Sequence, residues 1–296
     1  MIYVDMKGNL GNQLFEYACA RQIQEITGQT ICLNSYFLKK YRPQFTFNLP
    51  DFMLNENIIF DEDNPLPWYA NTYEGVVRVA KKIFPKTLFS LMKIWGCFVW
   101  MESVNVELPI LPIKKNYYVV GYWQSTIYFS KVDKILIDEF VPKYPFIKEN
   151  ENLYNLIEKT ESVCVTIRRG DYVNNDKIKK QFFVCDETYF TKCAKNIKKS
   201  IPNAVFFIFS DDIEWAKENL ELDGEVYYES GNDTVWEKLR LMSACKHFIL
   251  SNSSFSWWAQ HLSKNPGKIV YAPSKWFKDD RKCGIYEEGW KCVEVE

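Results

Sequence analysis

The chain has 296 residues, 47% of them hydrophobic and 25% charged, an ordinary globular composition long enough for two lobes. Its net charge of −1 excludes the basic footprint of a nucleic-acid binder, so any anion must be held by local groups rather than by a global field. Nine scattered cysteines contain no C-x-x-C pair, which excludes zinc-ribbon and thioredoxin-type spacings and fits a reducing compartment.

Residues 2–4 read as a strand, with no basic-then-apolar signal segment ahead of it. The loop Lys7-Gly8-Asn9-Leu10-Gly11-Asn12-Gln13 follows. Its two glycines permit close backbone approach at the start of a helix, either to a ligand or simply as a tight turn. Leu14, Phe15, Ala18, Ile23 and Ile26 approximate one apolar helical face, Gly28 is a stop, and residues 31–33 form the next strand. This β-loop-α-β opening starts a doubly wound lobe.

Residues 34–112 are broken by Pro43, Pro50, Pro65, Pro67 and Pro85 and match no motif. Within them, residues 88–101 form the most apolar long stretch. It is too short for a bilayer, is interrupted by Lys93, and reads as an interfacial or hydrophobic helix. Residues 117–121 make a strand and 122–124 a loop. Residues 141–159, with Pro142, Pro145 and several charges, mark the boundary between lobes 1–145 and 146–296.

The second lobe alternates strands (163–167, 205–210, 226–228, 247–250 and 268–271) with helices (187–199, 213–220, 236–244 and 255–262). The strands are short and apolar with little alternation, as in a parallel sheet covered on both faces. Cys164, Cys185, Cys193 and Cys245 read as small buried thiols, while Cys283 and Cys292 are close enough in sequence to pair. The aromatic content of 17% fits either sugar platforms or large core side chains.

Three strand ends in this lobe carry chemistry. The first runs into Arg168-Arg169-Gly170-Asp171-Tyr172. Two guanidinium groups at the end of a buried strand need a bound anion or internal carboxylates, and both readings stand. A second strand ends in Ser210-Asp211-Asp212, with Trp215 one turn on. Those aspartates can hold a metal or cap the next helix, and without a third nearby ligand they are poor evidence for an ion. The third strand ends in Ser251-Asn252-Ser253-Ser254-Phe255-Ser256-Trp257-Trp258, either a phosphate cradle or a serine-rich cap followed by core tryptophans. Carboxyl ends of parallel strands are where α/β proteins bind ligands.

These segments, together with Gly8-Asn9-Leu10-Gly11-Asn12-Gln13-Leu14-Phe15, occur in order. From residue 2 to about residue 271 the chain resembles the α-1,2-fucosyltransferases of glycosyltransferase family 11. The resemblance implies an α/β fold of the GT-B type, two Rossmann-like lobes with a cleft between them. Lobe 1–145 would take the acceptor and lobe 146–296 the donor GDP-fucose, with the last segment free to pack back on the first lobe. It implies inverting transfer of L-fucose to the 2-hydroxyl of a terminal β-galactoside, without metal or cofactor, GDP-fucose being a co-substrate. Arg168 would grip the diphosphate. Asp171 is the candidate carboxylate for the reaction, with a structural contact to Arg169 as its alternative. Donor contacts would come from Asn12, Gln13, Arg168, Arg169, Ser210, Asp211, Glu237, Asn252, Ser253, Ser254 and Phe255.

The sequence departs from the family pattern at Asn9, where glycine is usual, at Thr166, where histidine is usual, and at Lys238, where aspartate is usual. Glu237 is the neighbour that would take over the ribose or guanine contact. The acceptor would be a galactose-terminated oligosaccharide or lipid-linked glycan. A bacterial, cytoplasmic enzyme of polysaccharide or lipopolysaccharide synthesis is expected, with no membrane span but with room for peripheral association. The competing readings are a related sugar-nucleotide transferase of different linkage or donor, and a non-catalytic sugar-nucleotide-binding relative.

Overall fold

The computed structural model describes residues 1–73, 75–99, 115–279 and 283–295. It divides into two compact units, Met1–Lys143 and Tyr144–Glu296, so the boundary falls slightly ahead of the expected 145/146.

The first unit runs β1 (Ile2–Asp5), α1 (Leu10–Thr27), β2 (Ile31–Asn34), α2 (Tyr36–Tyr41), β3 (Ile58–Asp61), α3 (Gly75–Ile83), α4 (Pro85–Ile94), β4 (Cys97–Val99), β5 (Tyr117–Val120) and α5 (Asp133–Glu139). Its strands pair in parallel in the order β3-β2-β1-β5-β4. Helix α1 is buried almost all round and ends where expected. Gly28 takes a left-handed φ of 67° and its N–H donates to the Gln24 carbonyl at 2.7 Å. Ile26, assigned to the apolar face, lies in that last turn and is exposed instead.

The apolar stretch 88–101 is not one helix. Helix α4 stops at Ile94, and Gly96 (φ 75°) turns the chain into β4. A side chain there would place Cβ 2.5 Å from the Asn116 carbonyl, so only glycine lets the turn close against the strand beside it. Met101, the end of the expected helix, lies outside the described residues. Strand β3 leaves no clear sequence signal because it is a half-exposed edge strand without a long apolar run.

The second unit runs α6 (Glu151–Lys159), β6 (Glu161–Ile167), α7 (Gly170–Asn174), α8 (Asp176–Phe182), α9 (Glu187–Ser200), β7 (Ala204–Ser210), α10 (Ile213–Asn219), β8 (Val226–Tyr228), α11 (Val235–Ala244), β9 (His247–Ile249), α12 (Ser254–His261), β10 (Val270–Pro273) and β11 (Lys291–Val293). All pairs are parallel, in the order β11-β10-β9-β6-β7-β8. Strands β6 and β7 are buried along almost their whole length, which explains their continuous apolar sequence. Their side chains pack with Phe190, Cys193 and Ile197 of α9. In the final segment β11 pairs with β10 as the edge strand of this sheet. All nine cysteines are free, so Cys283 and Cys292 are not bonded, and the four thiols expected to be buried are buried. Among the described residues no helix is long and apolar enough to cross a membrane.

Candidate functional site

In the second sheet the chain starts at the centre with β6, builds outward through β7 and β8, then returns to the other side of β6 with β9. The carboxyl ends of β6 and β9 therefore bound a topological switch point, the place where open α/β sheets leave a crevice. The Ser251 N–H ties the two strands there, donating to the Thr166 carbonyl at 3.1 Å and to its Oγ1 at 3.0 Å. Thr166 thus holds the two strands together.

Arg168, just past β6, is clamped by two carboxylates. Its Nη2 donates to Asp171 Oδ1 at 2.6 Å, and its Nη1 pairs with Asp211 Oδ2 at 2.7 Å. Burial opposes the Arg168 charge, but Asp211 and then Asp171 outweigh it and hold the guanidinium above its usual value. The structure corrects the expected partner of Asp171, which pairs with Arg168 and not with Arg169. The reason is local: residues 170–174 form a helix, and its first turn carries Asp171 back beneath the Arg168 side chain.

Arg169 lies flat on Trp215, with its guanidinium carbon 3.6 Å from the ring centroid, and its Nε donates to Asp212 Oδ2 at 3.3 Å. Asp211 also accepts from the Arg169 backbone N–H at 2.8 Å. Asp212 caps α10, accepting from the Trp215 N–H at 3.3 Å, and its own N–H donates to Ser210 Oγ at 2.9 Å. The capping reading therefore holds for Asp212, while Asp211 serves the arginines.

Beyond β9, Ser253 caps α12, its Oγ accepting from the Phe255 N–H at 3.3 Å. Ser253, Ser254 and Phe255 are half-buried at the helix start, and Trp257 and Trp258 are fully buried in the core. Tyr172 joins two of the strand ends. Its hydroxyl donates to the Asn252 carbonyl at 3.1 Å, its ring centroid lies 5.6 Å from the Arg168 guanidinium carbon, and burial pushes its phenol pKa up. Arg168, Arg169, Ser210, Asp211, Ser253, Ser254 and Phe255 thus lie along the carboxyl ends of the adjacent strands β7, β6 and β9.

Three expected donor contacts are turned into the protein instead. Asn252 donates from Nδ2 to the carbonyls of Phe182 (2.7 Å) and Trp276 (2.9 Å), pinning the chain below the cap. Glu237 is fully buried and accepts from the Ile147 N–H at 2.9 Å and from Arg240 Nη1 at 2.7 Å. It holds the start of the second unit to α11 and is not placed for a ribose or a base. Lys238 beside it pairs with Glu229 at 2.9 Å.

Gln13, in the first unit, is also fully buried. Its Nε2 donates to the carbonyls of Gly8 (2.9 Å) and Thr46 (2.8 Å), and its Oε1 accepts from the Asn48 N–H at 3.0 Å. All of its polar atoms serve the loop, which corrects its assignment as a ligand. Asn12 sits beside Gly8 (φ 65°), where a side chain would place Cβ 2.3 Å from Asn12 Nδ2. Asn12 Oδ1 accepts from Gln124 Nε2 at 2.7 Å, so the loop after β1 is tied to the loop after β5.

A buried charged cluster that carries no sequence motif lies below this loop. Lys7 Nζ lies 2.9 Å from Asp5 Oδ2, and the Lys7 N–H donates to Oε2 of fully buried Glu16 at 2.9 Å. Burial pushes the Glu16 carboxyl well above its usual range. Neither histidine belongs to a site. His247 begins β9, at the amino ends of the strands and so away from Arg168, and His261 bonds Glu287 at 2.9 Å.

A family model described as glycosyl transferase family 11 matches residues 1–294. Among curated proteins, the chain is 31% identical to an α-1,2-colitosyltransferase of Escherichia coli, covering 94% of this chain and 93% of that protein. It is 27% identical to the O-antigen biosynthesis glycosyltransferase WbnK of Escherichia coli, covering 98% and 99%. Among solved structures, the fucosyltransferase NodZ from Bradyrhizobium superposes with a TM-score of 0.53 at 12% identity, covering 88% and 92%.

Proposed function

The chain belongs to glycosyl transferase family 11, and from that premise we propose that it transfers L-fucose from GDP-fucose, with inversion, to the 2-hydroxyl of a terminal β-galactoside. The observation that carries this reading is the clamped Arg168 at the switch point of the second sheet. Two of its five N–H donors are spent on Asp171 and Asp211, which leaves others for the oxygens of a diphosphate. The carboxylates hold the guanidinium in place before the ligand arrives, so little ordering remains to be done on binding.

In the reaction the glycosidic bond to the diphosphate breaks as the acceptor oxygen bonds to the anomeric carbon. Negative charge grows on the departing GDP. A fixed guanidinium, with the N–H groups that open α12, stabilises that charge, usually the largest electrostatic contribution in such a site. The proton on the acceptor oxygen leaves late, to water or to a phosphate oxygen of the departing GDP, which becomes more basic as the glycosidic bond breaks. Asp171 is committed to Arg168 and so serves as its positioning group in this reading. No metal is required, because guanidinium and helix N–H groups supply the positive field, and GDP-fucose is a co-substrate rather than a cofactor.

The second unit holds the donor and the first unit receives the acceptor. The α-1,2 linkage named for one relative supports attack by a 2-hydroxyl, and the O-antigen role named for the other supports a polysaccharide precursor in the bacterial cytoplasm. The name of the first relative also favours a second reading, in which the transferred sugar is colitose.

A donor panel decides. The protein is incubated with lactose and GDP-fucose, GDP-colitose, other GDP-sugars and UDP-sugars, and the product linkage is read by NMR. Fucosylated lactose with an α-1,2 linkage supports the proposal. Colitose transfer alone supports the second reading. No transfer, together with no calorimetric heat on adding GDP, overturns both.

A further inference from the structure

Helices α3 and α4 form a hairpin on the first unit whose apolar surface is wider than the core it covers. Val77 of α3 and Met92 of α4 are buried against Phe37, Cys97 and Tyr118. A second apolar stripe faces away from that core. On α3 it comprises Val76, Val79 and Ile83, spaced one and two turns apart and 57–75% exposed. Phe84, at the joint between the helices, is 65% exposed, and Ile94 at the end of α4 is 62% exposed. At the rim, Trp68 and Trp95 meet edge to face, with centroids 5.9 Å apart, and both are exposed.

Large apolar side chains crowded into one hairpin mark a docking surface rather than the scattered exposure usual on a soluble protein. Its charge says what docks. Residues 75–95 carry Arg78, Lys81, Lys82, Lys86 and Lys93 and no acidic residue, in a chain whose net charge is −1. Arg78, Lys82 and Lys93 are exposed. A second copy of this face would bring like charges together, which argues against a symmetric dimer through it. Aliphatic residues beside basic ones with tryptophans at the rim have the composition of a helix pair lying in a membrane interface, with lysines reaching the headgroups. Neither helix is long enough to span a bilayer.

We propose that the α3–α4 hairpin docks the protein peripherally on a membrane surface bearing anionic lipid headgroups. The apolar stripe enters the headgroup–acyl boundary, and the basic residues make the attachment depend on lipid charge and on salt. Each basic residue near an anionic surface contributes about fivefold to partitioning, so losing three costs about a hundredfold.

The test is co-sedimentation of the full chain with phosphatidylcholine vesicles and with the same vesicles carrying phosphatidylglycerol. Wild-type protein is expected to partition onto the anionic vesicles and to be released by salt. The Ile83→Gln/Ile94→Gln and Arg78→Gln/Lys82→Gln/Lys93→Gln variants are expected to lose that partitioning by at least about tenfold while melting as the wild type does. Wild-type protein that stays in the supernatant with anionic vesicles overturns the proposal, as do variants that bind like the wild type. Where both variants misfold, depth-dependent quenching of Trp68 and Trp95 fluorescence by brominated lipid in the wild type replaces them, and absence of quenching overturns it. Concentration-dependent dimerisation abolished by Ile83→Gln/Ile94→Gln, without lipid binding, assigns the face to a second copy and overturns it as well.

Discussion

Replacing Gly170 with alanine tests the arginine clamp without touching a charged group. Gly170 does not need a left-handed φ, so the backbone accepts alanine and only space is at issue. The new Cβ would lie 2.6 Å from Asp211 Oδ2 and 3.3 Å from its Cγ. Relieving that overlap pushes the carboxylate back by roughly an ångström, to the separation of ordinary packed atoms. It cannot retreat freely, because Oδ1 holds the Arg169 N–H at 2.8 Å and Oδ2 holds Arg168 Nη1 at 2.7 Å. Hydrogen bonds to charged groups contribute about 1.5–3 kcal/mol each, and partial exposure of this pair puts the loss at the lower end. The Gly170→Ala protein should lose about 1–2 kcal/mol of stability by denaturant titration and bind GDP about tenfold more weakly by calorimetry. The decisive control is Asp211→Ala. In that background the added methyl group has nothing to displace, so Gly170→Ala should cost almost nothing further. Additive costs in the double variant, or unchanged GDP affinity in the single one, would refute the clamp.

Trp215→Ala removes the platform under Arg169 (3.6 Å) and should cost about 1–2 kcal/mol, most of it recovered by Trp215→Phe, as read by thermal melting. Transfer should survive exhaustive EDTA treatment, because in the proposed reaction Arg168 and N–H groups supply the positive field. Loss of activity that Mg²⁺ restores would contradict this. Burial holds His247 below its ordinary value of 6.5, so the folded state takes up its proton less readily than the unfolded chain. Its contribution is complete above about 6.5 and is lost as pH falls through the folded value. The melting temperature should therefore drop below neutral pH, and His247→Gln should flatten that part of the curve.

The elements that were legible in the sequence are those whose signal is local. Strands β6 and β7 announce themselves by continuous apolar runs, and Gly28 ends α1 because its left-handed φ satisfies the last turn. The Arg168–Arg169 pair stands out because two guanidinium groups after a buried strand demand partners. Which partners could not be read, since Asp211 reaches Arg168 from another strand and Trp215 reaches Arg169 from the helix beyond it. The same limit misplaced Gln13, Glu237 and Asn252. An amide or a carboxylate in a motif looks identical whether it faces a ligand or, as here, fills buried hydrogen-bonding positions beside Thr46, Ile147 or Trp276. Residues 88–101 misled for another reason: apolar content alone does not separate helix from strand, and the break is set by Gly96 lying against Asn116.

Both sheets obey one plan, and their difference in chemistry follows from what each must hold. In each unit the first strand is central and the chain reverses beside it, between β1 and β5 in the first sheet and between β6 and β9 in the second. A bond closes each switch point: Gln124 to Asn12 in the first unit and Ser251 to Thr166 in the second. At the second switch point the first strand runs into two guanidinium groups, with serines opening α12 opposite, the surface proposed for phosphate oxygens. At the first, the strand runs into Asp5 and Lys7, already paired with each other, over a buried Glu16 that burial drives toward its neutral form. Asp5 and Glu16 are buried and Lys7 is spent on Asp5, so this cluster offers no surplus positive charge to a diphosphate, and an uncharged sugar needs none. In the proposed reaction the same topology thus sorts the two substrates by charge, the anionic donor to the second unit and the neutral acceptor to the first.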